Sequence, residues 1–164
     1  MSAIFDKDRI YRYVLWREWP MLDGEERQGF GPERAYAMFI GLNPSSADEI
    51  QDDPTIRRCK AFAKSWGYGR MCMTNLFAFR ATNPNEMIAI ADPIGPDNDE
   101  WLNKLAKDAC VLVAAWGEHG KHRGRSAEII SRFSNLKCFG TNKSGSPKHP
   151  LYLSKTTELR KLTI

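Results

Sequence analysis

The chain has 164 residues, 42% hydrophobic and 27% charged, with a formal net charge of +4. This length suits one domain over residues 1–164, and a chain of this size buries about 70% of its unfolded surface. No apolar run is long enough to span a bilayer and the start lacks the layout of a signal peptide, so a cytoplasmic protein with no membrane partner is expected.

Residues 1–35 read as an N-terminal extension, with Ile10–Trp16, rich in aromatic and β-branched types, as a strand and Leu22–Gly29 as a polar loop. The run Tyr36–Ile40 is continuously apolar and suits a strand buried on both faces; the N-terminal strand is expected to pair with it antiparallel. Asp53-Pro54 caps and opens a helix whose Cys59, Phe62, Ala63 and Trp66 share one face, and Gly67 ends it. Arg70–Leu76 is the next strand. Asn83-Pro84-Asn85-Glu86 forms a capping box for a short helix, and Asp97 caps a longer one reaching about Ala109. Cys110–Ala115 is a further buried strand, residues 125–133 repeat at helical spacing, and Leu136–Phe139 is the last strand. A Lys/Ser/Gly/Pro-rich loop, 141–148, leads to His149-Pro150, and the tail from Lys155 is expected to end in a short helix. Strands alternating with helices predict an α/β/α sandwich around a mostly parallel four-stranded core sheet plus the N-terminal strand.

The cysteines, Cys59, Cys72, Cys110 and Cys138, form no Cys-x-x-Cys pair. The last three fall in apolar runs and read as small buried hydrophobes in a reducing compartment. His119 and His122 have no third ligand nearby, so neither a metal nor another cofactor is expected. The mildly basic charge is compatible with a phosphate-bearing partner and equally with an ordinary surface.

Four segments stand out: Gly41-Leu42-Asn43-Pro44-Ser45-Ser46, Met73-Thr74-Asn75-Leu76-Phe77, Ala115-Trp116-Gly117-Glu118-His119-Gly120 and His149-Pro150-Leu151-Tyr152-Leu153. Each follows an apolar run, or a short loop after one, and in an open α/β sheet ligands collect outside the carboxyl ends of the strands. In this order they resemble the uracil-DNA glycosylase superfamily over about residues 36–155. The first resembles its water-activating motif, in the mismatch-specific form that has Asn. The second resembles the strand end whose Asn reads the base edge, the third the Trp-Gly strand end, and the fourth the His-Pro motif beside the scissile bond. Two departures stand beside the likeness: Asn43 occupies the position of the classical carboxylate, and His-Pro continues Leu-Tyr-Leu. Gly-Leu-Asn-Pro-Ser, Asp-Asp-Pro-Thr-Ile-Arg-Arg-Cys, Asn-Leu-Phe-Ala-Phe-Arg-Ala-Thr and His-Pro-Leu-Tyr-Leu together resemble more specifically a bacterial and phage family, number 1643 of the domains of unknown function.

The resemblance implies a nucleobase or nucleotide pocket, with nucleic acid or a nucleotide as partner, and implies N-glycosidic hydrolysis as its chemistry. Asn43 would hold water through its amide oxygen, with Asp48 or Asp52 as general base, since Asp53 reads as the helix cap. His149 would donate to the departing base, and Asn75 offers one acceptor and two donors to a pyrimidine edge. Gly41, Leu42, Pro44, Ser45, Phe77, Arg80, Trp116, His119 and Tyr152 complete the expected substrate site. Arg57, Lys143, Ser146 and Lys148 are candidates for phosphate or nucleic acid. Each has a plainer alternative: turn chemistry for Asn43-Pro44-Ser45, loop bonding for Asn75, core packing for Phe77 and Phe79, a carbonyl-fixed loop histidine for His149. Lys121, Arg123 and Arg125 read as a solvated helix start or as phosphate contacts. A non-catalytic binder that has lost the water-activating carboxylate is the rival to the enzyme.

Overall fold

Continuous apolarity sends Tyr36–Ile40 to the middle of the protein. In a computed structural model, which describes residues 2–20 and 35–163, strand β3 (Ala37–Gly41) is wholly buried. It pairs in parallel with β4 (Arg70–Asn75) on one side and with β5 (Val111–Ala114) on the other. The mixed α/β sheet has seven strands in the order β1-β2-β4-β3-β5-β6-β7. Its four central strands are parallel, β6 being Lys137–Cys138.

The edges differ from expectation. The N-terminal strand, β2 (Arg12–Glu18), pairs antiparallel with β4 instead of β3. Both neighbours of β3 are taken by parallel strands, so only the far edge of β4 is open to it. A strand absent from the sequence analysis, β1 (Ser2–Phe5), covers the outer edge of β2. The tail forms no helix: Arg160–Lys161 is β7, antiparallel to β6, and Leu162 beside it is buried. An open strand edge exposes unpaired backbone groups, and these short strands cover both sides of the sheet. The polar loop 22–29 lies outside the described residues.

Alternation along the buried strands feeds two cores. Met38, Ile40, Cys72, Leu112 and Ala114 join one cluster with residues of α2 (Pro84–Ala89), α3 (Asn98–Asp108) and α4 (Arg125–Arg132). Ala37, Phe39, Met71, Met73 and Val113 join the other with Ile56, Cys59, Phe62 and Ala63 of α1 (Pro54–Ser65). Asp53 caps α1 by accepting from the Ile56 N–H at 2.8 Å. Asp97 makes no such side-chain cap on α3. Cys59, Cys72 and Cys138 are buried, but Cys110 is exposed because it precedes β5 at the rim of the sheet. Arg125 also departs from the solvated reading. It is buried and bonded to Glu128, Asp99 and the Leu76 carbonyl.

The chain runs from β3 to its neighbour β4, then crosses to β5 on the opposite side of β3. That reversal opens a crevice beyond the carboxyl ends of these three strands, the usual ligand position in such sheets.

Candidate functional site

The crevice holds a cavity of about 420 Å³. Gly41, Leu42, Asn43 and Ser45 line it from the end of β3, Asn75 from β4, and Trp116, Gly117, Glu118 and His119 from the segment after β5. His149 closes another side, and Asp53, Thr55 and Ile56 enter from the start of α1. All four segments singled out in the sequence therefore meet at one hollow, the first and third through four residues each, the second through Met73 and Asn75, and the fourth through His149.

Asn75 is 2% exposed, and its amide nitrogen has no hydrogen-bond partner among the described residues. A buried amide without an acceptor is unfavourable by about 1–3 kcal/mol. The surrounding structure nevertheless holds the residue firmly. Its backbone pairs in register with Gly41, and the Asn98 amide donates to its carbonyl at 3.1 Å. Asn98 and Arg125 both donate to the next carbonyl, that of Leu76. The side-chain oxygen rests over Gly41, where a Cβ would come within 2.8 Å of it. Glycine at 41 thus gives the Asn75 side chain its place.

His149 is partly buried and accepts from the Leu151 N–H through Nδ1 at 3.3 Å. Its neutral ring therefore carries its proton on Nε2. Burial lowers the imidazole below its ordinary value of 6.5, outweighing the opposite pull of Asp53. The result at neutral pH is an uncharged donor in the cavity wall. Gly117 stands opposite its Cβ in a left-handed conformation, φ 72°, which favours glycine. The 141–148 loop is tied to the segment after β5 by Ser144, which donates to Glu118 at 2.7 Å and accepts from Lys121 through its carbonyl.

Asn43 is anchored by its amide nitrogen, which donates to the Ala81 carbonyl at 2.7 Å and to that of Pro44 at 3.1 Å. Its Oδ1 accepts no hydrogen bond from the described residues and remains an acceptor. The two carboxylates named as general bases lie elsewhere. Asp48 accepts from the Ile50 and Gln51 N–H groups in a turn, and those bonds hold its carboxyl below the usual range. Asp52 pairs with Arg17 and Lys60. Burial raises its carboxyl, but the bonds from Lys60 and Arg17 together bring it below the usual range. Asp53, set aside as a cap, is the aspartate that lines the cavity.

Other expected site residues also stand apart from it. Phe77 is fully buried in the core on the α3 side, and its N–H donates to the Leu42 carbonyl. Pro44 lies below the rim, where its carbonyl accepts the Ala81 N–H. Arg80 lines an adjoining depression, and Tyr152 is 90% exposed outside both. Arg57 donates to the Asp52 carbonyl, Lys143 is exposed, Ser146 is buried in its loop, and the Lys148 N–H donates to Gly140. None of these four lines the cavity. Among the described residues no group of three or more His, Cys, Asp or Glu side chains is placed to hold a metal ion.

The residue that sequence reasoning missed is Arg12. It lines the cavity from β2 and is 2% exposed. Its Nη1 donates to the Ala47 carbonyl, and its buried Nε has no partner among the described residues. The available signal was a charge inside an aromatic strand, Tyr11-Arg12-Tyr13, where arginine is seldom fully buried without a partner.

This is a mixed α/β protein with a cavity at the reversal point of its sheet, lined by both polar and apolar groups. Residues 12–151 match the family described as "Protein of unknown function (DUF1643)", and the chain belongs to that family. No curated protein and no solved structure matches it.

Proposed function

We propose that this protein binds a nucleobase, as part of a nucleoside or nucleotide, in the cavity between β3, β4 and β5. The carrying observation is the unpartnered Asn75 amide in a cavity that His149 also lines. A pyrimidine edge offers a carbonyl acceptor to Asn75 Nδ2 and a ring N–H to its Oδ1, replacing the missing bond. Trp116 supplies an apolar wall. The two cores on alternate strand positions support the three-layer arrangement.

The chemistry that this set of groups supports is hydrolysis of an N-glycosidic bond. The departing base gains negative charge, and His149 donates to it from Nε2. A donor aimed at developing charge contributes about 3–4 kcal/mol to such a step. Asn43 Oδ1 holds a water, and Asp53 is the carboxylate able to accept its proton. In duplex DNA the base must first be flipped out, at about a few kcal/mol. A panel of oligonucleotides and free nucleosides with uracil and modified bases tests this reading. Base release by the wild type and its loss in Asp53→Asn is the expected result. A folded protein that releases no base from any of them contradicts it.

A second reading is a binder without turnover. Asn43 favours it, because an amide takes no proton at neutral pH. It predicts saturable binding by the same pocket with no base released.

A further inference from the structure

The cavity does not end at the amide pocket. Ser45, Ala81 and Thr82 form a saddle shared with a neighbouring depression, whose wall includes Arg9 and Arg80. Arg9 is already paired with Glu49, with two bonds of 2.8 and 3.0 Å. Arg12 and Arg80 have no ion-pair partner among the described residues. Arg80 donates to the Arg9 carbonyl at 3.1 Å, while its Nε is buried and unpartnered, as is that of Arg12.

Burial lowers Arg12 to about 10, partly opposed by Asp53 and reinforced by Arg80 and Arg17. It therefore remains charged at neutral pH. A buried cation left without an anion is unfavourable by several kcal/mol. Arg12 is such a cation, and Arg80, half-buried beside the same saddle, shares its remedy in a ligand bearing negative charge. Arginine forks match phosphate oxygens in particular, through two parallel N–H bonds.

We propose that Arg12 and Arg80 form a phosphate subsite joined to the base pocket, so that the ligand is a nucleotide and not a free base or nucleoside. The base end of this assignment rests on the nucleobase reading above; the phosphate end rests on the two arginines. Ser45 and Thr82 hydroxyls lie along the saddle as additional donors. Glu86 lines the depression beside Arg80, and Asp53 and Glu118 line the cavity beside Arg12, so the phosphate would sit at the saddle between these carboxylates.

Calorimetric titration of the full chain tests this with the common nucleosides, their 5′-monophosphates, inorganic phosphate and a short single-stranded oligonucleotide. A monophosphate is expected to bind about tenfold or more tightly than its nucleoside, the gain expected of one charge-assisted pair. Arg12→Met and Arg80→Met should each remove that gain, and Arg80→Met, which lies outside the base pocket, should leave nucleoside affinity unchanged. Arg12→Lys should keep part of it. Thermal melts check folding, and if Arg12→Met fails to fold, Arg80→Met carries the comparison. Equal affinity for nucleoside and monophosphate, or a gain that survives both substitutions, overturns the phosphate subsite and leaves the base pocket intact. Phosphate binding lost in Arg12→Met, with no discrimination among bases, supports the subsite and overturns base reading. Arginine-dependent binding of the oligonucleotide alone assigns the phosphate to a strand backbone, and no binding by any probe overturns both.

Discussion

At position 75 the carbonyl oxygen of an asparagine lies over a glycine and its amide nitrogen has nothing to bond. Gly41→Ala places a methyl within 2.8 Å of that oxygen, and a rotation of the Asn75 side chain relieves the clash. The expected outcome is a small stability loss, about 1 kcal/mol or less, with ligand affinity falling about tenfold. Denaturation and titration of the same preparation measure both; unchanged affinity contradicts the assigned contact. His149 carries a pH signature. Its folded imidazole takes a proton at lower pH than the unfolded one, which titrates near 6.5. Its contribution to stability is full above pH 6.5 and is lost as pH falls through the lower folded value. His149→Gln should therefore flatten the fall in unfolding free energy between pH 7 and 5. Parallel curves for wild type and variant contradict a buried neutral ring. Asn43, Asn75 and His149 were legible in the sequence because each follows an apolar run at the place where α/β sheets bind ligands. Arg12 was not, because a residue inside a strand reveals its face only when its partners are known, and its bonding partner, the Ala47 carbonyl, lies 35 positions away.

At the scale of elements, α1 does two things with one residue. Asp53 caps the start of the helix with its side chain and lends a charge to the cavity. Asparagine caps a helix nearly as well as aspartate, whereas alanine loses about 1 kcal/mol. Asp53→Asn should thus keep the melting temperature close to wild type and abolish turnover, while Asp53→Ala loses both. Turnover retained in a folded Asp53→Asn protein removes the carboxylate from the chemistry. Helices and central strands were readable because their apolar spacing and caps are local, as in Asp53-Pro54 and Tyr36–Ile40. The edges were not. Strand β7 is two residues long and its pairing is a property of an open sheet edge more than of its sequence, whereas β6 lies inside the expected strand Leu136–Phe139. The parallel placement of β5 likewise decides where β2 can pair, and no local pattern carries that information.

For the molecule as a whole, the site depends on buried polar contacts that span distant segments. Arg17, fully buried in β2, bonds to Asp52 at 2.5 Å and to the carbonyls of Trp16, Asp48 and Gln51. This knot fixes residues 48–52, the stretch leading into α1 and Asp53. Asp52→Asn leaves Arg17 buried without its anion and should lower stability by about 3 kcal/mol, measured by urea denaturation. A loss below about 0.5 kcal/mol, the range of an ordinary surface change, contradicts that role. The most direct test of the account is whether Asn75 and His149 report one ligand. Side-chain resonances of the Asn75 amide and the His149 Nε2–H can be followed by NMR during titration with the nucleoside monophosphate panel. Both are expected to shift with a single saturation curve for one base and not for the others. Two unrelated curves, or no shift with any member of the panel, would show that these groups do not form a common base-reading site.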